Sequence, residues 1–366
     1  MFYRNGNVEF EITGGSLPNE GILFVDHSKE GRSGHLGHAM VETAEGEILC
    51  FYPSCSGNVL NGHNGNGWME IKRSRDGGET WSDPEPFPYS KQLYDLNIGV
   101  TAMCEKAVLC PNGEIVAFNL ICEIHNNVGW EPFGLPTYVK SRDGGKTWSQ
   151  AYRFGQHPGR IYDACVKDGK IYALIAVGAI AGGADAEYHL FISDDNGETF
   201  SDYSTLPFFT RRESRVYYGT MGWLEDGGLI VYVYRDNKDE KHPEYAVSAD
   251  GGKTWSAVQT AYFAKRIRNM QMVKLENTYF ILGRSGTNAP EAENGHNVLY
   301  CSADGIHWDE GQYLRMREHG IGAYSNTLLV HSRDASKPTR ILYQASYAYD
   351  NCKCNVLHWW IDAKKI

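Results

Sequence analysis

Several things are missing from this chain of 366 residues. Positive charge is not in excess: 35 Lys and Arg stand against 45 Asp and Glu, a formal net charge of −10. That leaves no electrostatic ground for nucleic acid or an anionic membrane surface as partner. No apolar window is long enough to span a bilayer. The opening, MFYRNGNVEFEITGG, lacks the basic start and apolar stretch of a secretory leader, so a cytoplasmic location is expected. The nine cysteines are odd in number and scattered, and neither Cys50/Cys55 nor Cys352/Cys354 belongs to a four-ligand zinc pattern. They read as reduced thiols packed as small hydrophobes. No phosphate-cradling P-loop, no strand-following G-x-G-x-x-G and no H-E-x-x-H occurs, so no cofactor is expected, and a metal on His35, His38 or His63 is the weaker reading.

Alanine-rich or leucine-rich helical stretches are scarce too. What is plentiful is glycine, 40 residues, and aromatics at 13%, with 23 tyrosines. Together with many β-branched runs this predicts an all-β protein.

One short text recurs. SRDGGETW starts at Ser74, SRDGGKTW at Ser141, SDDNGETF at Ser193, SADGGKTW at Ser248 and the shortened SADGIHW at Ser302. The intervals of 67, 52, 55 and 54 residues are those of a propeller or solenoid. D-G-G or D-N-G supplies the positive backbone angles of a tight hairpin, the Asp accepts from the turn's N–H groups, and the closing Trp or Phe can wedge between sheets. One Asp among Gly, Ser and Thr makes a poor metal cage. The repeat is therefore a structural staple.

Between staples come strand–turn–strand units such as AMVETAEGEILCFY, TAMCEKAVLCPNGEIVAFN and RVYYGTMGWLEDGGLIVYVY; GAYSNTLLV…TRILYQAS is a sixth without a staple. Six such units predict one six-bladed β-propeller domain over residues 1–366, its last blade closed by joining the two chain ends.

The repeated S-x-D-x-G-x-T-W is similar to the Asp box of the sialidase superfamily, over nearly the whole chain. That resemblance implies a fold more than a function. Members hold a substrate carboxylate with three arginines, use a Tyr–Glu pair as nucleophile and partner, and use an Asp as acid/base. This chain departs from that set. Leu36, between His35 and His38, stands where the first arginine is implied. The loop SCSGNVLNGHNGNGW, where the Asp is implied, has His63 and no carboxylate. Tyr218 falls at the Glu position, and the third arginine falls nearest His296. Tyr324 matches the nucleophile and Arg235 the second arginine.

In propellers of this type the first strand of each blade lines the channel, where substrate binds. The strand starts carry His35, His38, Glu105, Tyr162, Asp163, Tyr217, Tyr218, Arg268, Gln271 and Tyr324; loops add His63, His125 and Trp130. The candidate catalytic set is His38, His63, Glu105, Asp163, Tyr218 and Tyr324; the others, with Arg235, are candidate substrate contacts on which sugar rings can stack. Each has a structural alternative: a His satisfied beside a Gly-rich turn, Glu105 in an ion pair, Asp163 holding a turn.

The leading expectation is a glycosidase-type enzyme on small oligosaccharides, not an ordinary sialidase, with Tyr324 as nucleophile and Glu105 or Asp163 as base or acid. A β-eliminating lyase on uronate glycans is the second. There His38, His63 or Tyr218 would move protons and Arg235 or Arg268 would neutralise the carboxylate. A non-catalytic glycan-binding propeller is the third. Oligomeric state is not legible.

Overall fold

The computed structural model describes residues 2–14, 20–58, 63–125, 127, 129, 133–178, 187–209, 216–235, 240–285, 296–315, 324–331 and 338–366. The chain forms two compact units. One comprises Leu36–Arg215 and Gly252–Trp255; the other comprises Met1–His35, Val216–Gly251 and Ser256–Ile366.

The first unit holds three antiparallel sheets. They are built on Ala39–Glu42, Ile48–Ser56, Gly67–Ser74 and Glu85–Pro86; on Val100–Leu109, Ile115–Glu123, Thr137–Ser141 and Tyr152–Arg153; and on Gly159–Lys167, Lys170–Val177, Glu187–Ser193 and Ser201–Phe209. The second unit also has three. Two follow the same four-strand order, on Val216–Trp223, Leu229–Arg235, Glu244–Ser248 and Gln259–Thr260, and on Arg268–Leu275, Thr278–Arg284, Asn297–Ser302 and Gln312–Arg315. In the third, Ser325–Val330 and Arg340–Asp350 are followed by Lys353–Lys365, and the N-terminal Val8–Thr13 pairs against that strand from Val8 opposite Lys365 to Thr13 opposite Trp360. Each of the six hairpins read from the sequence is present, and the chain ends share one sheet.

Second strands are near-continuous apolar runs because both of their faces are covered. Every residue of Thr278–Arg284 is buried, as are six in a row of Ile115–Glu123. One core of the first unit gathers Val116, Phe118, Tyr138, Phe154, Ile161, Ile171 and Phe191. In the second unit one cluster centres on Phe10, Phe280, Leu282, Tyr343 and Trp359, and another on Tyr232, Phe263, Ile281 and Tyr300.

The staples behave alike. Ser141 Oγ donates to Asp143 Oδ1 at 2.9 Å, Asp143 accepts from the Thr147 N–H at 2.8 Å, and Gly144 and Gly145 take φ of 70° and 82°. Hydrogen bonds from the Thr80 hydroxyl and N–H hold Asp76 at a pKa of about 2. Burial alone would raise Asp143, but its bonds from Thr147 outweigh that and bring it to about 2 as well. The closing aromatic packs into the preceding sheet. Trp148 meets Phe51 and Phe87 edge-on at 5.9 and 5.1 Å. Phe200 meets Phe118 at 5.6 Å, and Trp308 donates to the Tyr232 hydroxyl at 3.2 Å. Such ring contacts are worth about 0.5–1.5 kcal/mol beyond burial.

Candidate active site

Within each unit the first strands of successive sheets lie against one another, and four of them break register along their length. Glu105 is skipped between Cys104 and Lys106, Tyr162 between Ile161 and Asp163, and Tyr218 between Tyr217 and Gly219. In the fourth, pairing is irregular between Arg268 and Gln271. A bulge leaves one residue out of the ladder and re-aims its side chain. Three of the residues singled out by sequence thus owe their placement to the same backbone device.

In the second unit the bulge puts Tyr218 at φ 44°, a left-handed conformation that costs a tyrosine about 1–3 kcal/mol. Its hydroxyl lies 2.6 Å from that of Tyr324, and either can donate. The Tyr218 ring is parallel to that of Tyr234, with centroids 5.8 Å apart and an interplanar angle of 5°. His35 meets Tyr324 edge-on at 5.6 Å, and its Nδ1 is 3.7 Å from the Cys354 thiol. Tyr324 and His35 are buried. Ser346 Oγ donates to the Tyr324 carbonyl at 3.2 Å, anchoring the backbone that carries the pair.

Two guanidinium groups flank these rings. Arg268 and Arg284 are direct partners across the strand pair, an arrangement of like charges that is destabilising unless something offsets it. Arg268 donates to the Tyr234 hydroxyl from Nε and Nη2 at 3.2 and 3.0 Å. Arg284 Nε donates to Asn269 Oδ1 at 3.0 Å. Burial, then the Arg268 charge, push the Arg284 pKa down, against the pull of Tyr324, Tyr234 and Tyr218. Asn269 sits in the bulge at φ 53°, and its Nδ2 is buried with no hydrogen-bond partner among the described residues.

In the first unit the charges cancel. Arg160 Nη2 donates to both oxygens of Glu105 at 2.9 Å, and Lys106 Nζ lies 2.9 Å from Asp163 Oδ1. Side chains of both pairs are at most 10% exposed. The Arg160 guanidinium also lies 5.6 Å from the Tyr162 ring centre and 6.0 Å from that of Phe133. Gly37 is required here, because a Cβ at that position would come within 2.5 Å of the Glu105 carboxylate. Glu105 and Asp163, expected as acid, base or partner, are each engaged by a buried cation; for Glu105 this is the ion-pair alternative, while for Asp163, read as holding a turn, the partner is Lys106.

The remaining sequence candidates are more scattered. His38 and Gln271 are buried, His63 is half-buried, and His125 is exposed with Nε2 3.6 Å from Glu123 Oε2. His296 is buried against Tyr313. Tyr217 and Arg235 lie on strands, their side chains outside the described residues, as is Trp130 altogether. Among the described residues, no group of three or more His, Cys, Asp or Glu is placed to hold a metal ion. Sequence reading passed over Arg284, Asn269, Tyr234 and Arg160. A signal for Arg284 was present: like Arg235, it closes the apolar second strand of its hairpin, FILGR beside VYVYR.

Comparison with solved structures gives the fold. A protein of unknown function from Dyadobacter fermentans superposes with a TM-score of 0.70 at 15% identity, over 98% of this chain and 100% of that one. The NanB sialidase of Streptococcus pneumoniae gives 0.65 at 12%, over 94% and 70%. The intramolecular trans-sialidase of Ruminococcus gnavus gives 0.59 at 11%, over 94% and 97%. No curated protein matches in sequence. At these identities the likeness speaks for the six-bladed propeller and not for an activity. Residues 103–336 match the model of the BNR repeat-like domain, more than half of the chain, and the protein belongs to that family.

Proposed function

We propose that this protein is a carbohydrate-active enzyme that cleaves an acidic glycan by β-elimination, with Tyr218 and Tyr324 as its acid–base couple. The observation that carries this reading is the 2.6 Å contact between the two hydroxyls beside Arg268 and Arg284. A phenol becomes a useful base when cations favour its ionised form. One tyrosine takes the proton from the carbon next to the sugar carboxylate. The electron pair left there forms the carbon–carbon double bond as the bond to the leaving glycosidic oxygen breaks, and the second tyrosine protonates that oxygen. Arg284 and Arg268 face the charge that builds on the carboxylate. No co-reactant is needed.

Hydrolysis needs two carboxyl groups about the scissile bond, or a carboxylate that activates a tyrosine. Here Glu105 and Asp163 are taken up by Arg160 and Lys106. A second reading, with Tyr324 as nucleophile of a hydrolase, draws support from the match of Tyr324 to the sialidase nucleophile and from the fold. A panel of uronate-bearing and neutral oligosaccharides separates the two. Ultraviolet absorbance of an unsaturated uronate, lost in Tyr324→Phe, supports elimination. Reducing ends without that absorbance overturn it in favour of hydrolysis. Binding without either product overturns both.

A further inference from the structure

Tyr234 connects the tyrosine pair to a charge buried behind it. Its ring is parallel to Tyr218, and its hydroxyl accepts from Arg268. Arg268 Nε is also 3.4 Å from Oε1 of Glu240, a side chain with no exposed surface. Glu240 Oε2 is 3.9 Å from Nη1 of Arg266, and its carbonyl accepts from the Ile267 N–H at 3.0 Å. One residue thus holds the chain just before Arg268 and the Arg268 side chain together. A fully enclosed carboxylate is costly to desolvate, and replacement of a buried ion pair by apolar groups is often neutral or better. Its presence here calls for a role.

We propose that Glu240 is a positioning residue that sets the protonation of the Tyr218–Tyr324 pair by holding Arg268 in place and offsetting its charge. The groups that face the pair come from several elements. Tyr234 comes from Leu229–Arg235, Arg268 from Arg268–Leu275 and Arg284 from Thr278–Arg284. His35 approaches Tyr324 and contacts Cys354 on Lys353–Lys365. Arg266 stands on the far side of Glu240. Glu240 brings the negative charge among these groups. Arg268 favours phenolate over phenol, and Glu240 weakens that preference, because fields act strongly where water is excluded. The carboxylate keeps the pair from ionising too early while it keeps the guanidinium aimed at Tyr234.

The consequence for turnover rests on the acid–base reading of the pair, but the titration itself needs no substrate. Carbon NMR of protein labelled at tyrosine Cζ follows each phenol, with Tyr218→Phe and Tyr324→Phe assigning the two resonances. Glu240→Gln is expected to lower the pH at which the pair ionises by about half a unit or more, and Arg268→Gln to raise it by a similar amount. Glu240→Asp lies between Glu240→Gln and the parent. General damage moves the two Gln variants the same way; the wiring proposed here moves them in opposite directions. Shifts of one sign, or none, overturn the inference. If Glu240→Gln fails to fold, Arg268→Gln and Glu240→Asp carry the same test. Opposite shifts in a protein that forms no unsaturated product would sink the elimination reading and leave this inference standing.

Discussion

The two units use one backbone device for opposite ends. In the first, bulges at Glu105 and Tyr162 bring charges together so that they cancel, Glu105 with Arg160 and Lys106 with Asp163. In the second, bulges at Tyr218 and near Asn269 gather hydroxyls and put two arginines opposite each other. A neutralised cluster is a brace, since removing either partner strands a buried charge. The second cluster sets Arg268 opposite Arg284, with Glu240 against Arg268, and holds Tyr218 at positive φ; such features are costly to keep, which supports the ligand site proposed above.

The sharpest way to break this contrast is to delete the hydroxyls. Tyr324→Phe or Tyr218→Phe should lower formation of product by about 10²–10⁴-fold, while each lost hydrogen bond costs stability only about 1 kcal/mol. Full activity in both variants would place the chemistry elsewhere.

Glu105→Gln is the complementary probe. It leaves Arg160 buried without its carboxylate and should cost about 3–5 kcal/mol in urea unfolding. Replacing both partners, as Glu105→Leu with Arg160→Met, should cost less than either single change. A Glu105→Gln protein of unchanged stability that has lost turnover would return Glu105 to the catalytic list.

Gly37→Ala sharpens the same point at smaller scale. Its methyl would sit 2.5 Å from the Glu105 carboxylate, and overpacking of that kind costs about 1–3 kcal/mol. A melting temperature equal to the parent's would show that the brace has room to yield.

The smallest effect belongs to the staples. Asp76 and Asp143 have folded pKa values of about 2, below the roughly 3.9 of an unstructured aspartate. The folded state therefore binds these protons less readily than the unfolded one. Their contribution is complete above about pH 4 and is lost as pH falls from there toward 2. Thermal melts should hold steady at higher pH and decline through that window, and Asp143→Asn should flatten part of the decline. An identical acid profile for Asp143→Asn would remove the staple carboxylate as a cause.

How much was legible from sequence differs sharply between scaffold and site. The Ser-x-Asp-x-Gly text gave each staple because the hydrogen bonds that close its turn are local, as among Ser141, Asp143, Gly145 and Thr147. Tyr218 and Tyr324 were both singled out, yet their contact was not, because 106 positions separate them. Arg284 was missed although its place at a strand end was visible, since nothing local says that the next hairpin turns it toward tyrosines.

Spacing and turn chemistry alone determined the six hairpins, the staples and the join of Val8–Thr13 to the C-terminal strand, because short-range backbone preference and a repeated apolar period leave few other ways to bury these strands. Which charge meets which was decided only by tertiary structure. Arg160 lies 55 residues from Glu105, and Glu240 and Arg268 stand on different elements. A bulge of one residue, which composition does not announce, sets the direction in which each side chain points.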